Sequence, residues 1–382
     1  MRKHLAIIGA SYLQLPLIEK AKEMGYTTHV FAWKANDVGE AAADHFYPIS
    51  IVEKELILKK CREIRICGIC SIASDLAAIT VNYIASALGL PGNTMEATLK
   101  STNKHLMRLA FEEAGDPSPR SILVEDAAQA EGLALQYPVI VKPTDRSGSR
   151  GICKIEREDE LKPAICAAME KGFEKKALIE EYVEGQEYSV EYISYKGMHH
   201  FLAMTMKYTS GAPHYIETGH REPAPVSAET LENVKKVCNH ALTTLGIENS
   251  ASHTEVKIRA DGTIRIIEIG GRMGGDCIGS DLVRLSTGYD FVRMVIQVAC
   301  GIEPDFSIVG TPHPVESRFI LSKEDAEELE RLEKEEPEKL IKIVDYHPEK
   351  IGTTTDSSNR AGCYIRRILR RKAARGKRMA KG

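Results

Sequence analysis

The segment SHTEVKIRADGTIRIIEIGGR, residues 252–272, reads as two strands joined by a tight turn. Asp261-Gly262 is a preferred two-residue hairpin turn, and the segments on both sides have the branched, apolar composition of strands. If the hairpin closes at this turn, the pairing of the strands is fixed and Glu255 faces Glu268. The segment therefore predicts an antiparallel strand pair with two carboxylates side by side.

Two facing carboxylates repel each other, because cross-strand Cβ atoms lie roughly 5 Å apart. A divalent cation removes this cost, and carboxylate oxygens together with substrate phosphates are the usual ligands of Mg²⁺. We therefore interpret Glu255 and Glu268 as ligands of Mg²⁺ or Mn²⁺. The alternative is that lysines neutralise both glutamates, and Lys257 is near enough in the strand to do so.

The same register places His253 opposite Gly270 and puts Arg272 two residues further along the same face. A guanidinium beside such a pair can bind a carboxylate or phosphate through two parallel hydrogen bonds. We therefore predict a catalytic role for Arg272. The alternative is a surface arginine in a glycine-rich loop.

The composition is that of an enzyme with more than one domain. The chain has 382 residues, of which 43% are hydrophobic, which is enough for two or three domains with buried cores. No apolar run approaches the roughly 20 residues of a membrane span. The nine cysteines are scattered, as is typical of reduced thiols. We therefore expect a cytoplasmic protein without a membrane segment.

The chain after Asp356 has no acidic residue and ends in a tail rich in Arg and Lys, although the formal net charge is −3. A basic tail can bind nucleic acid through phosphates. No recognition motif accompanies this one, so a solvated terminus is the better interpretation and a nucleic-acid partner is not expected.

The first ninety residues alternate short apolar runs with amphipathic segments, which is the pattern of a parallel βαβ sheet. The first turn, residues 9–14, lacks the second and third glycines of the dinucleotide-binding motif. The helix N-terminus after this turn could still hold an anionic group of a substrate. The sequence thus predicts a Rossmann-like sheet that does not bind a dinucleotide tightly.

Two further regions follow. Residues 89–92 break the first pattern, a helix is predicted over Lys104–Ala114, and mixed strands and helices continue to about Gly301. We predict three domains: residues 1–93, residues 94–303 with a smaller lid at about 117–185, and a C-terminal module at 304–382. The predicted fold class is a combination of α/β and α+β.

The chain has no Walker phosphate-binding loop, so any phosphate site must be built differently. The candidate is the loop Ser147-Gly148-Ser149-Arg150-Gly151, whose glycines let backbone N–H groups turn inward around an anion. Lys142 precedes it at the end of an apolar strand, where burial of a lysine is costly unless an anion compensates it. The plain alternative for the loop is a flexible turn.

A second candidate is the segment LIEEYVEGQE, residues 178–187, where a strand enters a short linker and leaves as another strand. Backbone groups of such a linker can bind the edge of an adenine, and Glu187 could accept hydrogen bonds from ribose hydroxyls. The alternative is that these glutamates are solvated residues at the edge of a sheet.

The order of these motifs resembles the ATP-grasp superfamily over nearly the whole chain. The matching motifs are a Rossmann-like sheet, Lys104, Val-Lys-Pro at Lys142, residues 147–151, residues 180–187, Glu255, and Glu268-Ile-Gly-Gly-Arg272. The resemblance implies that Lys104 and Lys142 bind the phosphates of ATP, and that the 147–151 loop, with Arg150, closes over them. It further implies the remaining contacts: adenine at Glu180 and the backbone of Glu181, Tyr182 and Val183, ribose at Glu187, and Mg²⁺ at Glu255 and Glu268.

Within the superfamily the chain looks most like the carboxylate–amine ligases, including L-amino acid ligases, in which the arginine corresponding to Arg272 contacts the substrate. The resemblance implies that ATP activates a carboxylate as an acyl phosphate, which an amine then attacks. The sequence does not fix the oligomeric state, for which a homodimer is our expectation. Purine-biosynthesis carboxylases and formate-dependent transferases are a looser match. One departure is Gly270, where many members have an Asn metal ligand; a water or His253 would take its place.

Two functions of other classes stay open. A nicotinamide oxidoreductase would account for the first sheet but gives the glutamate pair no purpose. A nucleic-acid-binding module would account only for the basic tail.

Overall fold

The N-terminal part of the chain forms a parallel four-stranded sheet in the computed structural model, which describes residues 3–148, 150–212, 215–355, 357 and 359–368. Its elements are β1 His4–Ile8, α1 Leu15–Glu23, β2 Thr27–Phe31, α2 Val38–Ala42, β3 His45–Tyr47, α3 Lys54–Ile64, β4 Gly68–Cys70 and α4 Asp75–Leu88. The strand order is β3-β2-β1-β4. The predicted βαβ sheet is confirmed.

Two helices then connect this sheet to the rest of the chain: α5, Met95–Thr102, and α6, Lys104–Ala114. The side chain of Asn103 accepts hydrogen bonds from the first free N–H groups of α6, which is the usual way to begin a helix. Gly115 ends it in the left-handed conformation, at φ +75°. The helix predicted over these residues is confirmed.

A second four-stranded sheet, which we call the lid sheet, has the order β5-β8-β6-β7 and is antiparallel. Its elements are β5 Ser121–Val124, β6 Val139–Pro143, β7 Cys153–Ile155, α7 Leu161–Lys171 and β8 Ala177–Glu181. Ile165 and Ala168 of α7 are buried in one hydrophobic cluster with the strands, so the lid sheet has a core of its own.

A third sheet, the large sheet, has eight antiparallel strands in the order β13-β12-β9-β10-β11-β14-β16-β15. Its strands and the accompanying helices are β9 Gln186–Tyr195, β10 Met198–Thr209, β11 Glu217–Glu222, α8 Ala228–Leu245, β12 Ser250–Ile258, β13 Ile264–Gly270, α9 Val283–Thr287, α10 Phe291–Ala299, β14 Val315–Phe319, α11 Lys323–Glu335, β15 Leu340–Val344 and β16 Cys363–Arg367. Strands β14 to β16 come from the region predicted as a C-terminal module, and they extend the same sheet. Among the helices of the described ranges, none is long and apolar enough to cross a membrane.

The hairpin of β12 and β13 closes through a three-residue loop, one residue longer than predicted. The N–H of Arg259 donates to the carbonyl of Thr263 at 2.9 Å, so these two residues are the last pair before the loop. Gly262 has a φ of +83°, which is the left-handed position of a three-residue hairpin loop.

A bulge corrects the register further along the same hairpin. Val256 pairs with Ile266, but the next pair is Glu255 with Glu268, so Ile267 is left without a partner. The extra loop residue and the bulge therefore cancel. The predicted facing of Glu255 and Glu268 is confirmed, although the predicted turn is wrong.

Candidate active site

A cleft between the lid sheet and the large sheet brings most of the predicted site residues together. Of these, the cleft is lined by Lys142, Ser147, Gly148, Glu180, Glu181, Tyr182, Val183, Glu187, Glu255, Glu268 and Arg272. Arg150 and Gly151 line an adjoining groove on the lid. Lys104 contacts Glu268 from the next groove, and Ser149 lies outside the described residues.

The facing glutamates each contact a lysine. Lys207 Nζ lies 2.5 Å from Glu255 Oε1, and Lys104 Nζ lies 2.7 Å from Glu268 Oε1. Burial alone would raise the pKa of Glu255, but Lys207 and His253 hold it well below its usual range. Both glutamates are thus neutralised by lysines in this structure, as one of the two interpretations anticipated, although Lys257 is not involved.

Lys257 points towards the linker instead. Its Nζ donates to the carbonyl oxygen of Val183 at 3.2 Å and lies 5.3 Å from the centre of the Tyr182 ring. Lys154 approaches the same ring at 4.3 Å. Two lysines therefore contact the aromatic ring of the linker after β8.

The wall formed by the large sheet is rich in carboxylates. Lys207 of β10 is 4% exposed and lies 2.9 Å from Glu187, 2.5 Å from Glu255 and 3.5 Å from Glu217. Burial lowers the pKa of this lysine, but the three carboxylates outweigh burial and raise it well above its usual range. Lys207 is therefore the shared ion-pair partner of three carboxylates.

The wall formed by the lid sheet has the opposite balance. Glu180 of β8 is buried between Arg108 of α6, at 3.0 Å, and Lys142 of β6, at 2.6 Å. Burial would raise the pKa of Glu180, but the two cations lower it. Burial lowers the pKa of Lys142 despite this contact. Glu180, predicted at the adenine, thus has two ion-pair partners within the protein.

The described residues of the 147–151 loop follow β6 closely in the chain. Gly148 and Gly151 have φ angles of +70° and +76°, which only glycine adopts without strain. The Nε of Arg150 donates to the carbonyl of Ser147 at 2.9 Å, so this side chain supports the loop. The carbonyl of Arg146 accepts a hydrogen bond from Lys104 Nζ at 2.7 Å, which ties the start of the loop to the glutamate pair.

His253 lies in β12, two residues before Glu255. It contacts the fully buried Glu191, and its Nε2 is 3.5 Å from Glu255 Oε1. Burial lowers the pKa of His253, but the two glutamates raise it to about 9. In this arrangement both ring nitrogens of His253 face glutamate side chains.

Arg272 borders the cleft and forms two hydrogen bonds with Asp75 of α4, at 2.8 and 3.0 Å. A groove lined by Asp75, Lys104, Arg150 and Glu268 opens beside this pair. Among the described residues, no cluster of three or more His, Cys, Asp or Glu side chains could hold a metal ion.

A model of the ATP-grasp domain matches residues 135–281, the part of the chain that includes most of the lid sheet and the glutamate hairpin. This chain contains an ATP-grasp domain.

The relatives of the ATP-grasp domain are enzymes with several activities. Alanine–anticapsin ligase of Bacillus subtilis is 27% identical over 308 residues, which cover 71% of this chain and 65% of the ligase. The crystal structure of L-amino acid ligase from Bacillus licheniformis matches with a TM-score of 0.80 and 21% identity, covering 97% of this chain and 94% of that one. N5-carboxyaminoimidazole synthetase from Staphylococcus aureus, complexed with ADP, matches with a TM-score of 0.77 and 16% identity, covering 97% and 94%.

The structural matches establish that the predicted ATP-grasp fold is correct over nearly the whole chain. The first curated relatives are longer proteins, and the matches span 38%, 50% and 65% of their lengths.

Asp75, Arg108 and Lys207 form ion pairs with predicted site residues but were not themselves predicted from the sequence. The sequence does contain a signal for Lys207, which follows Met204-Thr205-Met206 in a strand. As at Lys142, burial of a lysine in such a strand requires an anion. Arg108 stands among apolar residues of α6 and carries a weaker signal of the same kind. Nothing local marks Asp75, whose partner is 197 residues away.

Proposed function

We propose that this chain is an ATP-dependent carboxylate–amine ligase that forms an amide or peptide bond through an acyl phosphate. The observation that carries the proposal is the facing of Glu255 and Glu268 at one wall of a cleft whose other wall contains Lys142. The similarity to alanine–anticapsin ligase supports it. A cytoplasmic location and a homodimer are part of the same proposal.

The residues fit a nucleotide with a divalent cation. Glu255 and Glu268 offer carboxylate oxygens, which Mg²⁺ and Mn²⁺ prefer, and they would hold the ion. When bound, the ion neutralises charge on the phosphates. Lys104, which contacts Glu268, and Lys142 of the lid sheet would bind the phosphates. The linker after β8 and Glu187 would bind adenine and ribose.

The protein's own part in the reaction is positioning and charge neutralisation. An oxygen of the substrate carboxylate attacks the γ-phosphorus of ATP, the bond from that phosphorus to the β–γ bridging oxygen breaks, and ADP leaves. The nitrogen of an amine then attacks the carbonyl carbon and loses a proton, and phosphate leaves with the C–O bond electrons. Arg272 would stabilise the oxyanion of the tetrahedral intermediate.

Detection of the acyl phosphate is the decisive test of this proposal. Hydroxylamine is a small nucleophile that intercepts an acyl phosphate as a hydroxamate. We expect Mg·ATP, hydroxylamine and a panel of amino acids and other small carboxylates to give hydroxamate and ADP for a narrow subset. Both Glu268→Gln and Arg272→Ala should suppress the product by about 10² or more, since each removes a charged group at the reaction centre.

The other outcomes point to other functions. ADP formed with bicarbonate or formate, but with no larger carboxylate, would favour a carboxylase or formyl transferase. The similarity in fold to N5-carboxyaminoimidazole synthetase is the observation that supports this alternative. Binding of NAD(H) without binding of ATP would contradict the proposal.

A further inference from the structure

An ion pair joins the N-terminal sheet to the reaction centre. Asp75 is the first residue of α4, and Arg272 follows β13 in the glycine-rich segment. Arg272 Nε lies 2.8 Å from Asp75 Oδ1 and Nη2 lies 3.0 Å from Oδ2, so both carboxylate oxygens are used. The side chains are only 15% and 16% exposed. A second link is close by, since the N–H of Ala73 donates to the carbonyl of Met273 at 3.1 Å.

Gly270 is the residue that makes room for this pair. A Cβ atom at position 270 would lie 2.9 Å from Asp75 Oδ1 and 3.1 Å from Arg272 Cζ, which is closer than packed atoms approach. Asp75 and the Arg272 guanidinium therefore fill the space that a side chain at 270 would need. The absence of a side chain at Gly270 therefore leaves the space that the Asp75 carboxylate occupies.

The pair also fixes the direction of a long, flexible side chain. An unrestrained arginine loses rotamer entropy when it binds a ligand. Two parallel hydrogen bonds to a rigid carboxylate remove most of that freedom before a substrate arrives. The backbone that carries the carboxylate is fixed, because Ser74 caps α4 and its side chain accepts a hydrogen bond from the N–H of Ala77.

We propose that Asp75 is a positioning residue of the ligase reaction, which holds the Arg272 guanidinium towards the cleft beside Glu268. This inference rests on the proposed function. Asp75 acts through Arg272 and needs no contact with the substrate. The competing view is an ion pair that only fastens α4 to the glycine-rich segment.

The first measurement compares Asp75→Asn with a matched control. The control is Glu316→Gln, which removes the charge of a carboxylate that is 6% exposed and that contacts Arg366 and Arg318 away from the cleft. We expect Asp75→Asn to lower kcat for hydroxamate formation by about 10- to 100-fold, with little change in KM for ATP. Glu316→Gln should leave kcat unchanged. An equal effect of both variants on kcat would overturn the proposal.

The second measurement combines two changes. If Asp75 acts through Arg272, then Asp75→Asn should cause no further loss of kcat in an Arg272→Ala protein, because the group to be positioned is gone. A loss of the same size in both backgrounds would show that Asp75 acts by itself, and would overturn the proposal.

The third measurement does not depend on turnover. A crystal structure of Asp75→Asn with Mg·ADP should show the Arg272 guanidinium turned away from its wild-type direction. An unchanged guanidinium would contradict the positioning role. Wild-type protein that makes no ADP with any carboxylate would count against the proposed function alone, and the crystal structure would still decide the role of Asp75.

Discussion

The two walls of the cleft handle buried charge in opposite ways. On the lid wall, Glu180 is the carboxylate between Arg108 and Lys142, so cations are in excess. On the wall of the large sheet, Lys207 is the cation among Glu187, Glu217 and Glu255, so carboxylates are in excess. Burial lowers the pKa of both lysines, but only at Lys207 do the neighbouring carboxylates outweigh burial and raise it.

This difference shows how one cleft can accept a polyanion and a cation together. Surplus positive charge in a partly dry site favours phosphate groups, and surplus carboxylates favour divalent metal ions. A nucleotide bound with Mg²⁺ has both kinds of charge, so it completes the charge balance of both walls at once. A ligand with only one kind of charge would satisfy only one wall.

The largest effect is expected from Lys207→Met, which leaves three carboxylates facing one another. Removing one partner of a buried ion pair typically costs about 3 to 5 kcal/mol of unfolding free energy. Mg²⁺ should restore part of this loss, because it can take the place of the ammonium group. Thermal unfolding with and without Mg²⁺ measures both effects.

The control for this variant is Lys20→Met, another buried lysine, which contacts Glu23 and Asp290 far from the cleft. It should be destabilised without being rescued by Mg²⁺. If Mg²⁺ stabilised both variants equally, or neither of them, the proposed difference between the two walls of the cleft would be contradicted.

The next effect is expected from Lys142→Ala on the lid wall. We expect turnover to fall by about 10² to 10³, as when one strong donor to a transition state is deleted. Steady-state ADP release in the presence of the accepted carboxylate measures it. Lys20→Ala is the matched control, because it removes a buried, ion-paired lysine far from the cleft, and its turnover should stay at the wild-type level. Wild-type turnover in Lys142→Ala would show that the lid wall does not bind phosphate.

The smallest effect is expected from Glu222→Gln, at a carboxylate of the large sheet that accepts hydrogen bonds from Thr205 and Ser286. Burial raises its pKa from 4.5 to about 7. Between these values the folded protein binds more protons than the unfolded chain, so unfolding free energy falls as pH rises through about 7. The glutamine variant should lack this decline, which amounts to no more than about 3 kcal/mol.

Thermal unfolding at pH 5 and pH 8 tests this expectation. The melting temperature of Glu222→Gln relative to wild type should rise between the two pH values. A constant difference would mean that Glu222 is ionised in the folded protein across this range.

The elements that sequence alone determined are those whose cause lies within a few residues. Asn103 and Gly115 bound α6 because capping is local, and the parallel sheet follows from short alternating runs. The facing of Glu255 and Glu268 was predicted because strand pairing in a hairpin follows from a nearby turn. The prediction of this facing was correct although the predicted turn was wrong, because the bulge at Ile267 restored the register. No local sequence pattern indicated that bulge.

Only the tertiary structure decided which charges meet. Lys207 is cross-strand from carboxylates on other strands of an eight-stranded sheet, and Asp75 meets Arg272 across 197 residues. Strand order and the approach of one domain to another depend on the packing of whole faces, which the period of a single segment does not encode. The sequence therefore predicted which residues hold phosphate and metal, and the fold decided how each of those charges is balanced.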